Sequence, residues 1–393
     1  MEMLSSDSWS EASPAALELL TVLRDGRPRS RARLAEHAGV ARSTASARVE
    51  ELRAEGLVVE LSDTVYTGGR PSKRISIVPR SRVVIAADIG ATHADVALVD
   101  LTGAPIERVS RSISSDDEPD TILSWLKTCA LQLAETETIP AAAIIGAGIG
   151  LAAPIDHATG RPINPPIMPR WNDFDIRSWF VDNLGIAATV EKDVNMMAVG
   201  ECRLRGAAAA NLIFVKASTG IGAGITSEGR LHRGQQGTAG DIGHIALRRD
   251  TSTPCQCGNL GCVEAIAGVP ALARRLSELG HALNSNQDVI DLVSQGNIDA
   301  IQAVRQAGRD IGEVLAHCVS VLNPSMIVIG GSLSHAGRHL LAGVREVVHA
   351  QAMPFSTQQL EIVRADPSTM AAITGAAALA IDRLLTTAQV SPE

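Results

Sequence analysis

The first eighty residues contain three short stretches in which apolar residues recur at helical spacing. One opens at Pro14, a second is capped by Ser30 and stopped by Gly39, and a third runs over about 42–54. Serine before a helix satisfies unpaired backbone N–H groups, and glycine after it adopts the left-handed conformation that ends many helices. The second and third stretches, joined by a short turn, therefore predict a helix-turn-helix.

Alternating apolar and polar residues at 57–60 and again at 74–77 predict two short strands after the third helix. The segment between them contains Gly69, Arg70 and Pro71. Glycine permits close approach to DNA, proline holds the chain extended, and arginine suits the negative potential of a narrow minor groove. We interpret this segment as the wing of a winged helix-turn-helix, with an ordinary solvated turn as the alternative.

The start of the third helix supplies further candidate DNA contacts. Arginine and short hydroxyl side chains can approach phosphates and base edges in a major groove. Here these side chains are Arg42, Ser43, Thr44 and Ser46. A surface helix that is merely capped by its hydroxyl groups is the alternative.

The distribution of charge favours the DNA interpretation. A net charge of −8 excludes a protein that binds nucleic acid over its whole surface. Residues 24–48, however, carry seven arginines against two acidic residues, and residues 66–80 carry four basic residues and no acidic one. Local basic patches on an acidic chain are typical of a small DNA-binding module attached to another kind of domain.

The pattern changes after residue 82, where alternation over 83–99 predicts a β-hairpin with Asp-x-Gly-x-Thr at its turn. Such a turn offers backbone N–H groups and a hydroxyl to phosphates, and its aspartate faces the metal-bound end. Two later strands are each followed by a glycine-rich turn that can offer backbone N–H groups to phosphates in the same way. Together the candidate nucleotide-binding residues are Asp88, Gly90, Thr92, Thr219, Gly220, Gly330 and Gly331. A tight turn without a ligand is the alternative for each one alone.

Length and element order predict several domains. A chain of 393 residues is too long for one hydrophobic core, and strand-rich regions on either side of a helical stretch predict two α/β lobes. We predict a winged-helix domain over 1–80 and a two-lobed α/β domain over 81–393. The small lobe takes about 81–190 with a C-terminal helix at about 370–388, and the large lobe takes about 191–369.

Nothing in the pattern predicts a membrane segment. The longest apolar run, 141–155, is interrupted by glycines and by Pro154, which is typical of a buried strand and turn. The first residues lack the basic and apolar regions of a secretion signal. Three of the six cysteines are crowded together, which is unlike the disulfide framework of a secreted protein. We therefore expect a cytoplasmic protein.

A cluster of metal-binding residue types is the most specific signal in the sequence. His244, Cys255, Cys257 and Cys262 lie within 19 residues, with glycines between the last two cysteines. Three thiolates and one imidazole match the tetrahedral coordination of Zn²⁺, and a fully protein-bound ion is structural. Three buried free thiols are the alternative.

The run Cys-x-Cys-Gly-x-x-Gly-Cys-x-Glu over 255–264 resembles the ROK family of repressors and sugar kinases, and the resemblance covers nearly the whole chain. It implies a sugar-kinase-like or actin-like (ribonuclease H-like) fold and a zinc ion on the four residues above. It also implies a sugar pocket lined by Asn164, Asp193, Asp241, His244 and Glu264. In the family's kinases the aspartate at position 193 is the catalytic base; a helix N-cap for 194–205 is its alternative role.

Four residues depart from the pattern of the family's kinases. Ala91 places a methyl group where glycine usually lets a phosphate approach, which argues against ATP with Mg²⁺ as a cofactor. Lys192 replaces the usual asparagine, Asp241 replaces glutamate, and Arg170 replaces glycine. The two cations favour an anionic ligand such as a sugar phosphate.

These features predict a sugar-responsive DNA-binding regulator, usually a repressor. The expected partners are operator DNA, a sugar or sugar phosphate, and a second copy in a homodimer or homotetramer, with helical patterns at 297–322 and 335–351 as candidate contacts. The rival interpretation is an active ATP-dependent sugar kinase with a DNA-binding arm, in which Asp193 would be catalytic. A DNA-binding protein with a vestigial kinase-like body is a third interpretation, which the intact sugar-pocket residues disfavour.

Overall fold

The computed structural model describes residues 10–65, 72–249 and 252–387. The chain divides into two compact units. The first unit comprises Met1–Ala152, His157–Glu191 and Ala376–Glu393, and the second comprises Ala153–Asp156 and Lys192–Gly375.

The first unit begins with the predicted helix-turn-helix. Its elements are helices α1 (Pro14–Leu23), α2 (Arg31–Ala38) and α3 (Arg42–Ala54) and strands β1 (Arg29–Ser30), β2 (Val58–Val65) and β3 (Ser72–Ile77), in the sheet order β1-β3-β2. Ser30 caps α2 by accepting a hydrogen bond from Arg33 N at 3.3 Å, and Gly39 ends it at φ 62°. The spacing of Val49 and Leu52 places both on the buried face of α3.

The remainder of the first unit is built on a five-stranded sheet in the order β6-β5-β4-β7-β8. Its elements are β4 (Val83–Ile89), β5 (His93–Asp100), β6 (Pro105–Ser112), α4 (Pro119–Thr136), β7 (Ile144–Leu151), α5 (Ile176–Leu184) and β8 (Ala187–Lys192). Strands β4, β5 and β6 form an antiparallel meander, and β7 lies parallel to β4. Every residue of β4 and β7 is buried, as expected for central strands covered on both faces.

The second unit contains a sheet of the same design, in the order β11-β10-β9-β12-β13. Its strands are β9 (Leu212–Ala217), β10 (Ile221–Ser227), β11 (Arg230–Leu231), β12 (Met326–Gly330) and β13 (Glu361–Arg364). Strands β9, β10 and β11 form an antiparallel meander, and β12 lies parallel to both β9 and β13. The helices are α6 (Asp193–Arg205), α7 (Val263–Ala267), α8 (Val269–Glu278), α9 (Gln287–Ser294), α10 (Ile298–Leu322), α11 (Arg338–Gln351) and α12 (Pro354–Thr357).

The C-terminal helix α13 (Ala371–Thr387) begins in the second unit and ends in the first. Residues 367–386 are long and apolar enough to cross a membrane, yet half of the apolar window is buried within the protein. Close packing explains this composition. A Cβ atom on Gly200 would clash with the carbonyl of Ala371, and one on Gly148 would clash with the carbonyl of Ala376. The helix is therefore typical of the core of a globular protein.

The two sheets share one topology, in which a three-stranded antiparallel meander is followed by strands added beside its first strand. This repeated design is that of the actin-like and sugar-kinase-like (ribonuclease H-like) folds. With the winged helix in front of it, the structure confirms the fold class predicted from the sequence.

Candidate functional site

The four predicted metal ligands converge in a loop of the second unit. The ligand atoms of His244, Cys255, Cys257 and Cys262 all lie within 4.8 Å of one another. The sulfurs of Cys257 and Cys262 are 3.7 Å apart, and Cys255 Sγ lies 3.6 Å from His244 Nδ1. A tetrahedral Zn²⁺ ion requires about 3.8 Å between sulfurs and about 3.6 Å between sulfur and nitrogen. The arrangement therefore fits a bound metal ion.

The loop backbone brings these ligands together through two glycines. Gly258 and Gly261 have φ values of 91° and 73°, a left-handed region that other residues rarely adopt. The amide of Cys255 donates to Asn259 O at 2.9 Å, which closes the turn between the first and last cysteines.

The thiols of the cluster have different acidities in the absence of a metal. Burial raises the pKa of Cys262 to about 12, and burial also raises the pKa of Cys255. A hydrogen bond from the backbone of Asn259 lowers the pKa of Cys257. Because a metal binds thiolates, an ion in this site would displace the proton that burial otherwise keeps on Cys262.

Four of the five predicted sugar-binding residues lie in the second unit. Asp193 is the first residue of α6 and Lys192 precedes it. Asp193 Oδ1 accepts a hydrogen bond from Val194 N at 2.6 Å, so the side chain satisfies a backbone N–H at the start of the helix, as its alternative role requires. Asp241 precedes the short helical turn Ile242–His244, His244 is its last residue, and Glu264 is the second residue of α7. Glu264 Oε2 accepts a hydrogen bond from Ile221 N at 2.9 Å, which ties the carboxylate to the start of β10.

Two lysines neutralise two of the three carboxylates of this group. Lys192 donates to Asp241, and Lys216 donates to Asp193. Lys192 and Asp193 are both buried, with 7% and 6% of their surface exposed. Lys216 was not among the residues predicted for this site. The sequence signal that could have identified it is a lysine one position before the end of β9, a strand whose other residues are buried. A charge in such a position requires a partner.

The fifth predicted sugar-binding residue, Asn164, lies in the first unit. It is exposed and has a left-handed φ of 43°. Its backbone N–H donates to Asn172 Oδ1 at 2.8 Å, which stabilises that conformation. In the same region Arg170 forms an ion pair with Glu118, so its charge is balanced by a neighbouring carboxylate.

The predicted nucleotide turns are distributed over both units. In the first unit, Asp88 is buried at the end of β4, and Thr92 is exposed in the turn to β5. The imidazole of His93 lies against Gly90, where an added Cβ atom would clash with the ring. The surface of this glycine, which the phosphate hypothesis requires to be open, is therefore covered by a side chain.

In the second unit, the turn with Thr219 and Gly220 follows β9, while Gly330 ends the parallel neighbour β12 and Gly331 follows it. The hydroxyls of Ser218 and Ser332 are 2.8 Å apart and join the two turns. Two glycine turns at the carboxyl ends of adjacent strands are a common phosphate-binding arrangement.

The predicted DNA contacts lie at the start of α3. Arg42, Ser43 and Thr44 are exposed, and Ser46 is half-buried. The buried face of α3 is formed by other residues, which leaves these side chains available to a ligand. The predicted wing residues Gly69, Arg70 and Pro71 lie outside the described residues.

A winged helix followed by a two-lobed kinase-like body defines a class of protein in which a DNA-binding module is fused to a sugar-kinase-like domain. The model of the ROK family matches residues 84–383. The chain belongs to the ROK family, as the sequence resemblance indicated.

Comparisons with individual proteins extend beyond the family domain. The xylose repressor of Bacillus spizizenii is 27% identical over 373 residues, covering 93% of this chain and 94% of that protein. A glucokinase of Halalkalibacterium halodurans is 27% identical over 288 residues, covering 70% of this chain and 87% of that protein. The solved structure of a ROK family transcriptional regulator, a homolog of the E. coli MLC protein, has a TM-score of 0.80 at 22% identity, covering 95% of this chain and 96% of that one.

Proposed function

We propose that the chain is a sugar-responsive transcriptional regulator of the repressor type. Its winged-helix domain binds operator DNA, and its kinase-like domain binds a sugar or sugar derivative as effector. The observation that carries this proposal is the helix-turn-helix ahead of the kinase-like body, with the start of α3 exposed. The similarity to a xylose repressor over 93% of this chain supports it.

The proposed effector site uses Asp193, Asp241, His244 and Glu264 of the second unit. Carboxylates and amides recognise sugar hydroxyls by hydrogen bonding, and a site built of such groups rejects ligands that leave them unpaired. Lys192 is paired with Asp241, and Arg170 is paired with Glu118. Because each cation already has a carboxylate partner, we propose that the effector is a neutral sugar and not a sugar phosphate.

The rival function, an active sugar kinase, is less well supported. A catalytic base must accept a proton from the attacking hydroxyl, but the Asp193 carboxylate already accepts a hydrogen bond from Lys216. His93 against Gly90 and the methyl group of Ala91 also restrict the first phosphate turn. We expect no ATP-dependent phosphorylation of the effector by the purified protein.

We propose that the ion on His244, Cys255, Cys257 and Cys262 is a structural Zn²⁺. Soft thiolates select zinc over harder divalent ions, and four protein ligands leave no position for a reacting water. The ion would fix the loop that carries Asp241 and His244 on one side and Glu264 on the other. It would therefore organise the effector site without taking part in chemistry.

We also propose a homodimer or homotetramer, because two winged helices are needed to read two half-sites of an operator. Helices α10 and α11 cover most of the two segments suggested by the sequence. Light scattering coupled to size-exclusion chromatography tests this proposal, and a monomer at operator-binding concentrations would contradict it.

The effector site is tested by calorimetric titration with neutral hexoses, pentoses, amino sugars and their phosphates. Asp241→Asn is a suitable variant, since this side chain is 39% exposed and the asparagine keeps an oxygen that can accept a hydrogen bond from Lys192. Loss of a hydrogen bond to a charged group should weaken binding of the effector by about tenfold or more. Asp291→Asn, at an exposed position on α9, is the matched control and should bind like the wild type. If Asp241→Asn bound the effector as tightly as Asp291→Asn does, Asp241 would be excluded from the site.

A further inference from the structure

The hairpin formed by β4 and β5 brings three metal-binding side chains to one face of the sheet. Asp88 and Asp95 are directly opposite in the antiparallel register, and paired residues on neighbouring strands point to the same face. His93 lies two positions before Asp95 and therefore shares that face. One ligand atom from each of the three residues lies within 4.8 Å of the others, and His93 Nε2 is 3.6 Å from Asp88 Oδ2.

The charges of this group are not balanced by its own members. Two carboxylates directly opposite each other repel and destabilise the pairing of their strands. The Asp88 side chain is only 5% exposed, and its Oδ1 is buried without a hydrogen-bond partner among the described residues. A buried carboxylate oxygen without a donor is costly. A cation between the carboxylates would offset both the repulsion and the missing hydrogen bond.

The surroundings hold the donors in position. Ser110 on β6 donates a hydrogen bond to Asp95 Oδ1, which orients that carboxylate. The imidazole of His93 lies over Gly90, the glycine of the predicted phosphate turn. His93 and Asp95 are not part of the predicted nucleotide site, which shares only Asp88 with this group. A cation bound by all three residues would therefore not need a nucleotide to hold it in the turn.

We propose that Asp88, His93 and Asp95 form a mononuclear site for a divalent transition-metal ion, separate from the cysteine cluster. One imidazole and two carboxylates suit Mn²⁺, Fe²⁺ or Zn²⁺. The His93 side chain is 42% exposed, so the remaining coordination positions face water. The ion fixes the imidazole against Gly90 and thereby closes this turn to phosphate groups.

The test uses Mn²⁺ as the probe and the full chain with its cysteine cluster already loaded with zinc. The electron paramagnetic resonance signal of free Mn²⁺ disappears on binding, so a titration gives both stoichiometry and affinity. We expect one Mn²⁺ per chain in the absence of ATP. His93→Ala and Asp95→Asn should each weaken binding by about tenfold or more. Glu107→Gln, an exposed carboxylate on β6, and His317→Ala, an exposed histidine on α10, are controls that should bind Mn²⁺ like the wild type.

A second readout does not depend on the folding of any variant. Electron spin echo spectroscopy of the Mn²⁺-loaded wild type should show nitrogen coupling from one imidazole. The proposal is overturned if no Mn²⁺ binds at millimolar concentration, if the bound ion shows no nitrogen coupling, or if binding requires ATP. Unchanged affinity in both His93→Ala and Asp95→Asn would overturn it as well.

Discussion

At the residue scale, the cysteine cluster gives the first prediction. Cys257→Ser should remove one ligand and release the metal, so that the zinc content measured by mass spectrometry falls from about one ion per chain to near zero. Because metal binding and folding of the loop are linked, the free energy of unfolding should fall by at least about 2 kcal/mol. Cys318→Ser changes a cysteine away from the cluster and should retain the metal. Full zinc content in Cys257→Ser would contradict the assignment.

The ion pair of Lys216 and Asp193 gives a second prediction at this scale. Lys216→Met leaves a buried carboxylate without its partner, which should cost about 3 kcal/mol of unfolding free energy. In the double variant Lys216→Met with Asp193→Asn the charge is gone, so most of that loss should be recovered. Denaturant unfolding of the four members of this double-mutant cycle measures the coupling energy. Additive effects of the two substitutions would show that the pair is not coupled.

Sequence could predict some of these residues because their signal is local. The four metal ligands lie close together along the chain, and their spacing alone indicates that one ion can hold them. Lys216 and Asp193 are 23 positions apart and meet only when α6 packs beside β9. The pairing of Asp88 with Asp95 likewise depends on the exact register of a hairpin. No pattern of residue types within a single segment reports such contacts.

At the element scale, the winged-helix domain contains an ion pair that makes its stability depend on pH. Glu60 on β2 accepts from Lys73 on β3 at 2.7 Å and from Arg31 on α2 at 2.9 Å. Hydrogen bonds from Lys73 and Arg31 lower the pKa of Glu60 from 4.5 to about 2. A depressed carboxyl pKa stabilises the fold above the unfolded value, and this contribution is lost as the pH falls from 4.5 towards 2.

Glu60→Gln removes this contribution at neutral pH. Because the pair lies near the surface, we expect a loss of about 1 kcal/mol at pH 7. Calorimetric unfolding of the wild type and the variant between pH 7 and pH 3 measures the difference, which should shrink steadily below pH 4.5. If the difference in stability stayed constant between pH 7 and pH 3, Lys73 and Arg31 would not be lowering the pKa of Glu60.

Helix α3 gives the DNA prediction. Arg42→Ala removes an exposed cation from its start and should weaken operator binding by about tenfold, within the 1–3 kcal/mol range of a base or phosphate contact. Arg53→Ala changes the same residue type in the last turn of the same helix, where the guanidinium pairs with Glu50, and should have little effect. Fluorescence anisotropy at one fixed salt concentration measures both, since phosphate contacts make affinity depend on salt. Equal losses in the two variants would exclude α3 as a specific recognition helix.

The elements themselves were largely predictable, because each is encoded by short-range periodicity and by its caps. The helix over 42–54 and the strands around 58 and 74 lie where the pattern placed them. Sheet order could not be derived in this way. It depends on which strands pair over long separations, such as β9 with β12, and the family resemblance indicated only the fold class.

At the scale of the whole molecule, side-chain contacts as well as the connecting chain join the winged helix to the kinase-like body. Arg24, at the end of α1, donates to Leu101 O at 3.0 Å and forms an ion pair with Asp382 on α13 at 2.6 Å. Leu101 and Asp382 both belong to the first unit, so these contacts hold the winged helix against the kinase-like part of that unit.

Regulation of this kind is a coupling between two binding equilibria. If a sugar changes operator affinity by some factor, the operator must change sugar affinity by the same factor. In a kinase with an independent DNA-binding arm this factor is one, so neither ligand changes the affinity for the other. A coupling factor that differs from one therefore distinguishes the proposed regulator from its rival without knowledge of the target genes.

The most direct test of the account is operator binding by the purified full chain at one salt concentration, with and without the sugar found by calorimetry. We expect a change in operator affinity of at least about fivefold and an equal change in sugar affinity when operator is present. In Asp241→Asn about tenfold more sugar should be needed to produce the change in operator affinity. If none of the sugars that bind the protein changed its affinity for the operator, the protein would not be a sugar-responsive regulator.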